Sequence, residues 1–414
     1  MRKSSSLTFA LLTFAFLIVA LFSLQVTSAQ IPHIPRVPKS KPTPTPSAEQ
    51  PTTDTSTPTA QPESRPASSA AAAGNSVVGD DQPLIAKDSV QVTAYKVPVF
   101  HGNFDTWSWV PRIEYRVNGP IPSGSQLYVE FSQPSGPWVK FDCQTNETQK
   151  GHWWKTECGG RDIPEDKSTT YTGPLSFAIK MRNELAGTDA TLFTGKFKVG
   201  KIHSNEVGPH AVNRFIYYVD QDWTLPIGYV FLTPDDVRGW NYPGFNAVFW
   251  VRGEGVNIQP HLFYQGKEVG KIFYDGEEVG KASCESDFES GTMTDVDDAQ
   301  RVKWSRVICR FPSVKGYDKT GEQPGMFGPL YMLAANPGDY ELKVLWQNHL
   351  ARSIKFTVKP DGNFDNGIAA ANKLGSDRVI VPVQIIGEQD GQWNKLAWKT
   401  EAFYSNPLTG FNAP

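Results

Sequence analysis

The chain has 414 residues, 20% of them charged, and a formal net charge of −3. A balance this close to neutral argues against nucleic acid and other acidic polymers as partners held by bulk charge. The length is too great for one small sandwich, and the four cysteines are few enough to be counted as pairs.

Arg2 and Lys3 precede an apolar run from Leu7 to Leu24, and Thr27-Ser-Ala29 then supplies the small residues a signal peptidase reads. Residues 1–29 are therefore expected to be a signal peptide, cleaved near Ala29 so that the mature chain begins at Gln30. The competing reading is an uncleaved N-terminal membrane anchor, because the run is 18 residues long. Loss of Arg2 and Lys3 takes the net charge from −3 to −5. In an exported protein four cysteines read as two disulfides. Pairing within each copy of a repeat, Cys143 with Cys158 and Cys284 with Cys309, is the connectivity that both copies form independently.

Residues 30–83 change abruptly to Pro, Thr, Ser and Ala, as in Pro42-Thr-Pro-Thr-Pro46. Such a segment cannot bury a core and reads as a disordered, partly polyproline linker. At about 3.1 Å per residue it would span more than ~100 Å as a stalk.

The remainder repeats itself. Trp153-x4-Cys158 recurs as Trp304-x4-Cys309, each with an upstream cysteine and each followed by Gly-Pro-Leu (from Gly173 and from Gly328) and then Phe-x-Val (from Phe197 and from Phe356). Ordered landmarks of this kind indicate a duplicated domain. The first copy is placed at 88–201. Its short segments, among them Val90 to Tyr95, Arg112 to Val117 and Leu175 to Met181, are aromatic and β-branched and are separated by Gly, Pro and Asn. The second is placed at 212–360, from Phe215 to Val219 onward to Ser353 to Val358, with the same grammar. The fold class expected is all-β: two tandem immunoglobulin-like antiparallel β-sandwich domains and a small C-terminal extension. This look resembles the immunoglobulin-like tandem modules of exported bacterial proteins, in architecture alone, since the cysteine spacings of 15 and 25 are far shorter than the intersheet pair of antibody domains.

Inside the second copy a decapeptide repeats. Phe263-Tyr-Gln-Gly-Lys-Glu-Val-Gly-Lys271 is followed by Phe273-Tyr-Asp-Gly-Glu-Glu-Val-Gly-Lys281. Gln265-Gly266 and Asp275-Gly276 are two-residue turn signals, so the insertion is expected to add or lengthen a hairpin. The even period keeps side chains on their original faces. Residues 361–414 form the extension: a helix from Asn366 to Leu374, a strand from Arg378 to Ile386 that Pro382 restricts to an edge or bulge, and enough aromatics to dock on a sandwich.

Few residues suggest chemistry. Seven histidines are scattered without a nucleophile or zinc motif, so the chain is expected not to be an enzyme and no cofactor is expected. Asp361, Asn363 and Asp365 alternate as calcium-loop oxygens do, but the twelfth position is Asn372 and glycine is missing where the loop needs it, so a turn is the preferred reading. The acidic stretch around Asp295, Asp297 and Asp298 reads as a solvated loop. Trp153 and Trp304 are read as covering the disulfides. Trp107, Trp109, Trp154, Trp240 and Tyr242 make a possible aromatic ligand surface. The leading reading is an exported non-enzymatic cell-envelope or extracellular protein with an adhesion, structural or interaction role, and envelope proteins or glycans are its expected partners. A carbohydrate-binding module pair is the alternative, and a secreted hydrolase comes third. The membrane enters only if the N-terminal segment stays uncleaved.

Overall fold

In the computed structural model, residues 83–99, 106–147, 153–160, 165–204, 215–233, 243–274, 277–287, 293–316, 330–372, 374 and 378–414 are described. The expected signal peptide, the linker, Trp240 and Tyr242 lie outside them. So do the side chains of Trp153 and Trp154.

The described residues are almost entirely β and belong to one compact unit. The first half contains β1 (Leu84–Val99), β2 (Thr106–Asn118), β3 (Ser125–Gln133), β4 (Gly136–Glu147), β5 (Trp153–Gly159), β6 (Gly173–Asn183), β7 (Thr188–His203) and β8 (Phe215–Val219). The second contains β9 (Ile227–Thr233), β10 (Gly244–Arg252), β11 (Ile258–Tyr264), β12 (Lys267–Val269), β13 (Ile272–Tyr274), β14 (Glu277–Val279), β15 (Ser283–Asp287), β16 (Trp304–Lys315), β17 (Tyr331–Met332), β18 (Gly338–Trp346), β19 (His349–Val358) and β20 (Val379–Ile385). Three short helices follow β19: α1 (Gly367–Ala371), α2 (Ala397–Thr400) and α3 (Ala402–Ser405).

Hydrogen bonding runs β1-β2-β5-β4-β3-β6-β7-β8 in one sheet and β12-β11-β18-β19-β20-β9-β10-β16-β15 in the other, with β17 added parallel to β16. One order underlies both. β1, β2, β5 and β4 correspond to β9, β10, β16 and β15, and β3, β6 and β7 to β11, β18 and β19. The Trp-x4-Cys segments fall on the matching strands β5 and β16, and the Phe-x-Val segments on β7 and β19. The Gly-Pro-Leu landmarks do not fall on matching strands: Leu175 is on β6, whereas Leu330 leads into β17.

Each half has one strand that passes from one layer to the other, and the two halves place it on opposite edges. In the first, β4 pairs with β3 through Asp142 and with β5 from Cys143 onward. In the second, β20 pairs with β9 through Pro382 and with β19 from Val383 onward. Pro382, which has no N–H to donate, sits at the handover, where a corner tolerates it. The decapeptide explains why the second half does not close at the β11–β15 edge as the first does at β3–β4. Its two copies form two hairpins of identical register, Phe263 opposite Glu268 and Phe273 opposite Glu278, and these separate β11 from β15 in the chain. Gln265 and Gly266 have φ of 50° and 78°, the left-handed pair of a type I′ turn.

Two sequence expectations are corrected. Phe215 to Val219, assigned to the second sandwich, pairs with β7 in the first sheet. Trp304 does not cover a disulfide: five residues is an odd number, so its side chain and Cys309 face opposite ways on β16. In the first half the aromatic over the disulfide is Tyr115 on β2, whose hydroxyl lies 3.5 Å from Cys143 Sγ and 3.9 Å from Cys158 Sγ. Both predicted disulfides are present, each joining directly opposed residues of neighbouring strands.

The C-terminal tail fixes the halves to each other. Tyr404, 2% exposed, accepts a hydrogen bond from Val92 N at 2.7 Å and packs edge-on against Phe177 of β6 and Trp223. Phe403, Tyr404 and Ser405 all have φ between 49° and 70°, a conformation that costs about 1–3 kcal/mol per residue unless its surroundings impose it. Burial of both rings and Asn406 Nδ2 donating to Thr194 O impose it here. Gly195 permits the approach: a Cβ there would lie 2.4 Å from Phe177 and 2.9 Å from Tyr404 Cβ.

A buried ionic clamp holds the segment before it. Arg352 of β19, 0% exposed, donates to Asp390 Oδ1 at 2.6 Å and to Trp250 O at 2.9 Å. The same carboxylate oxygen accepts Arg252 N at 3.0 Å, and the Arg252 guanidinium donates to Asp390 O, Gln392 O and Gln300 O. Asp222 takes the far side, 3.8 Å from Arg252 Nε, and accepts Asn394 N at 2.6 Å. Burial raises the Asp222 carboxyl above the ordinary aspartate range. Two carboxylates and two guanidiniums thus tie the tail to β10 and β19.

Candidate functional site

The feature best suited to a ligand is a groove between the two halves, made of two adjoining cavities of about 290 Å³ and 370 Å³ that share Gln91, Glu114, Gln221, Trp250 and Arg306. Volumes of this size are typical of ligand sites. Its two walls differ in chemistry because each is the outer face of a different sheet.

One wall is a lattice of charge. β2 reads Arg112-Ile-Glu114-Tyr-Arg116, so Ile113 and Tyr115 enter the first core and the three charged residues point outward. β5 adds Lys155 and Glu157 opposite them. Arg112 Nη2 lies 2.6 Å from Glu114 and 2.8 Å from Glu157, and Lys155 lies 3.6 Å from Glu114. Arg112 Nε has no hydrogen-bond partner among the described residues.

The other wall is aromatic. β10 is buried on almost every residue from Gly244 to Arg252, the pattern of a strand covered on both sides. Its outward Val248 and Trp250, with Tyr229 and Phe231 of β9 and Trp304 and Ile308 of β16, form an apolar surface edged by Arg306 and Arg378. Tyr229 meets Trp250 edge-on at 5.8 Å, Tyr218 lies tilted against Trp304 at 5.5 Å, and Arg378 lies 5.1 Å over Phe231. Trp250 and Trp304 are half-buried and line the groove. Tyr229 donates to Asp88 O at 3.3 Å and bridges the walls, and burial raises its hydroxyl pKa well above the ordinary value.

The acidic loop closes one end of the groove through Met293 and Lys303. Most of its described residues are exposed, Asp297 among them, as its composition implies, but one carboxylate turns inward. Asp295 is 6% exposed, its Oδ2 accepts His203 N at 2.9 Å, and its Oδ1 accepts Asp297 N and Asp298 N. Burial alone would raise this carboxyl; the three backbone donors and Arg301 outweigh it and hold the group below the ordinary aspartate range. Asp297 Oδ2 sits 2.7 Å from His203 Nδ1, which ties the loop to the end of β7.

The residues singled out in the sequence do not assemble into one site. Trp109 is wholly buried, donates from Nε1 to Tyr171 O at 2.9 Å and meets Trp138 edge-on at 5.2 Å, so it belongs to the first core and not to a ligand surface. Trp107 is half-buried with Lys96 Nζ over its ring at 3.0 Å. Asp361 and Asp365 are exposed and face backbone donors, Asn363 N at 3.0 Å and Gly367 N at 3.3 Å, as in turns that follow a strand. Among the described residues no group of three His, Cys, Asp or Glu could hold a metal ion. The groove itself was missed, and its signals are local: alternating charge on β2, unbroken apolarity on β10, and Trp304-Ser-Arg306 with both long side chains on one face.

The two disulfides fit an oxidising, extracytoplasmic compartment, and no helix among the described residues is long and apolar enough to cross a membrane. No protein-family model and no curated protein matches the chain.

Proposed function

We propose that the protein is an exported, non-catalytic binding protein: two immunoglobulin-like β-sandwich halves, duplicated from one ancestor, carried on the Pro/Thr-rich stalk 30–83 after cleavage near Ala29. The observation that carries this reading is the two-walled groove, whose charged lattice and aromatic face offer ionic and stacking contacts to a ligand. The shared strand order supports duplication, and the local disulfides support export. The described histidines, His203, His261 and His349, are not in the groove lining.

Two measurements test it. Cell fractionation with N-terminal sequencing of the secreted chain should give a mature protein starting at Gln30, with all four cysteines blocked to alkylation. A reduced cytosolic protein would overturn the export reading. Acrylamide quenching of tryptophan fluorescence, in the presence of an envelope glycan extract, should fall in the wild type and stay unchanged in Trp250→Phe/Trp304→Phe. Equal protection in both proteins would move the site out of the groove.

A further inference from the structure

We propose that the groove takes an acidic oligosaccharide, a chain of sugar rings carrying carboxylate or sulfate groups. This rests on the reading of the groove as the binding site and adds the class of ligand. The groove lining holds six cations, Arg112, Arg116, Lys155, Lys303, Arg306 and Arg378, against two carboxylates, Asp88 and Glu114. Adding Glu157, which reaches Arg112 from just outside the lining, still leaves six against three. Among the lining residues cations thus outnumber carboxylates, although the chain as a whole is at −3. Overall charge, which argues against acidic polymers held by bulk attraction, does not speak to a groove that focuses the opposite sign between low-dielectric walls.

Cations alone would select any anion; the facing wall narrows the class. Trp250 and Trp304 line the groove half-buried, and aromatic faces pack well against the apolar faces of sugar rings. A ligand filling both walls must therefore be flat and apolar on one side and anionic on its edge. Four of the six cations are arginines, whose planar fork matches a carboxylate or sulfate through two parallel hydrogen bonds. An acidic peptide suits the site less well. The groove lies between sheet faces lined by side chains, whereas an extended peptide is usually read by the backbone groups of an open strand edge.

Isothermal titration calorimetry on the full oxidised protein tests this with five probes of matched length: an oligogalacturonate, a heparin-derived oligosaccharide, a neutral cello-oligosaccharide, a polyglutamate peptide and an oligothymidylate. We expect binding of an acidic saccharide that weakens as salt is raised. It should be at least tenfold tighter than the neutral sugar and at least tenfold weaker in Arg306→Gln and in Trp250→Phe. The first two probes separate carboxylate from sulfate recognition. Each variant is checked for an unchanged unfolding midpoint, and Arg116→Gln supplies a second charge deletion should Arg306→Gln fail to fold. Equal affinity for the neutral saccharide, lost in Trp250→Phe, would retain the groove and overturn the charged class. Tighter binding of polyglutamate or oligothymidylate would overturn the saccharide. Binding of an acidic saccharide unaffected by either variant, or no binding of any probe, would overturn groove and class together.

Discussion

Replacing Asp390 by alanine tests the buried clamp. The Arg352 and Asp390 side chains are 0% and 3% exposed, and Asp390 Oδ1 accepts both Arg352 Nη2 and Arg252 N. Removing one member of a buried ion pair costs about 3–5 kcal/mol because the other charge stays buried. The abandoned Arg252 N–H adds a desolvation cost of about 1–3 kcal/mol, but the two losses share one oxygen and do not sum. Arg352 keeps Trp250 O and Ala351 O, which limits the total, so we expect about 4 kcal/mol for Asp390→Ala. Asp390→Asn preserves an acceptor in the same place and should cost about half as much. The double variant Arg352→Met/Asp390→Leu, apolar and similar in size, should recover most of the loss. Guanidinium unfolding followed by tryptophan fluorescence measures all three. A cost below about 1 kcal/mol for Asp390→Ala would mean that the pair is open to water and the clamp reading is wrong.

Three further outcomes are expected. The pair Cys143→Ala/Cys158→Ala should lose about 3 kcal/mol for its separation of 15, and Cys284→Ala/Cys309→Ala about half a kcal/mol more for its separation of 25, read from denaturant midpoints; a reversed order would show that loop entropy does not dominate. Trp109→Ala should cost about 3–5 kcal/mol and Trp107→Ala about 1 kcal/mol or less, and equal costs would contradict their different burial. Because the folded Asp295 carboxyl lies below its unfolded value, its contribution is fully present above the ordinary aspartate value of 3.8 and is lost as pH falls through the folded one. Unfolding midpoints taken from pH 6 downward should therefore drop more steeply in the wild type than in Asp295→Asn, and parallel curves would refute the assignment.

The sequence carried the β character, the disulfide pairing and the paired hairpins of the decapeptide, because each depends on local alternation, on turn residues, or on a repeat comparing itself with its copy. It also contained the answer on Trp304, since an odd spacing to Cys309 puts the two on opposite faces; the expectation drew on proximity in sequence and neglected parity. Other features are not local. Trp107 and Trp109 share a face by parity, yet Trp109 is fully buried against Trp138 and Tyr217 while Trp107 is half-buried under Lys96, and alternation names a face without saying what lies on it. Phe215 to Val219 is a five-residue strand between two sheets, and its composition suits either. Arg352 and Asp390 are 38 residues apart, so the clamp exists only once the tail folds back on β19, and β2 and β10 lie in different halves, so the groove exists only once the halves meet.

Hydrogen–deuterium exchange of the full oxidised protein, with and without the tightest-binding saccharide, tests the central claim most directly. Protection should appear on the groove strands, over Gln91 to Ala94, Arg112 to Arg116 and Trp304 to Ile308, and be absent from the hairpins of the decapeptide. Protection centred on those hairpins or on β6 and β7, with the groove strands unchanged, would contradict it.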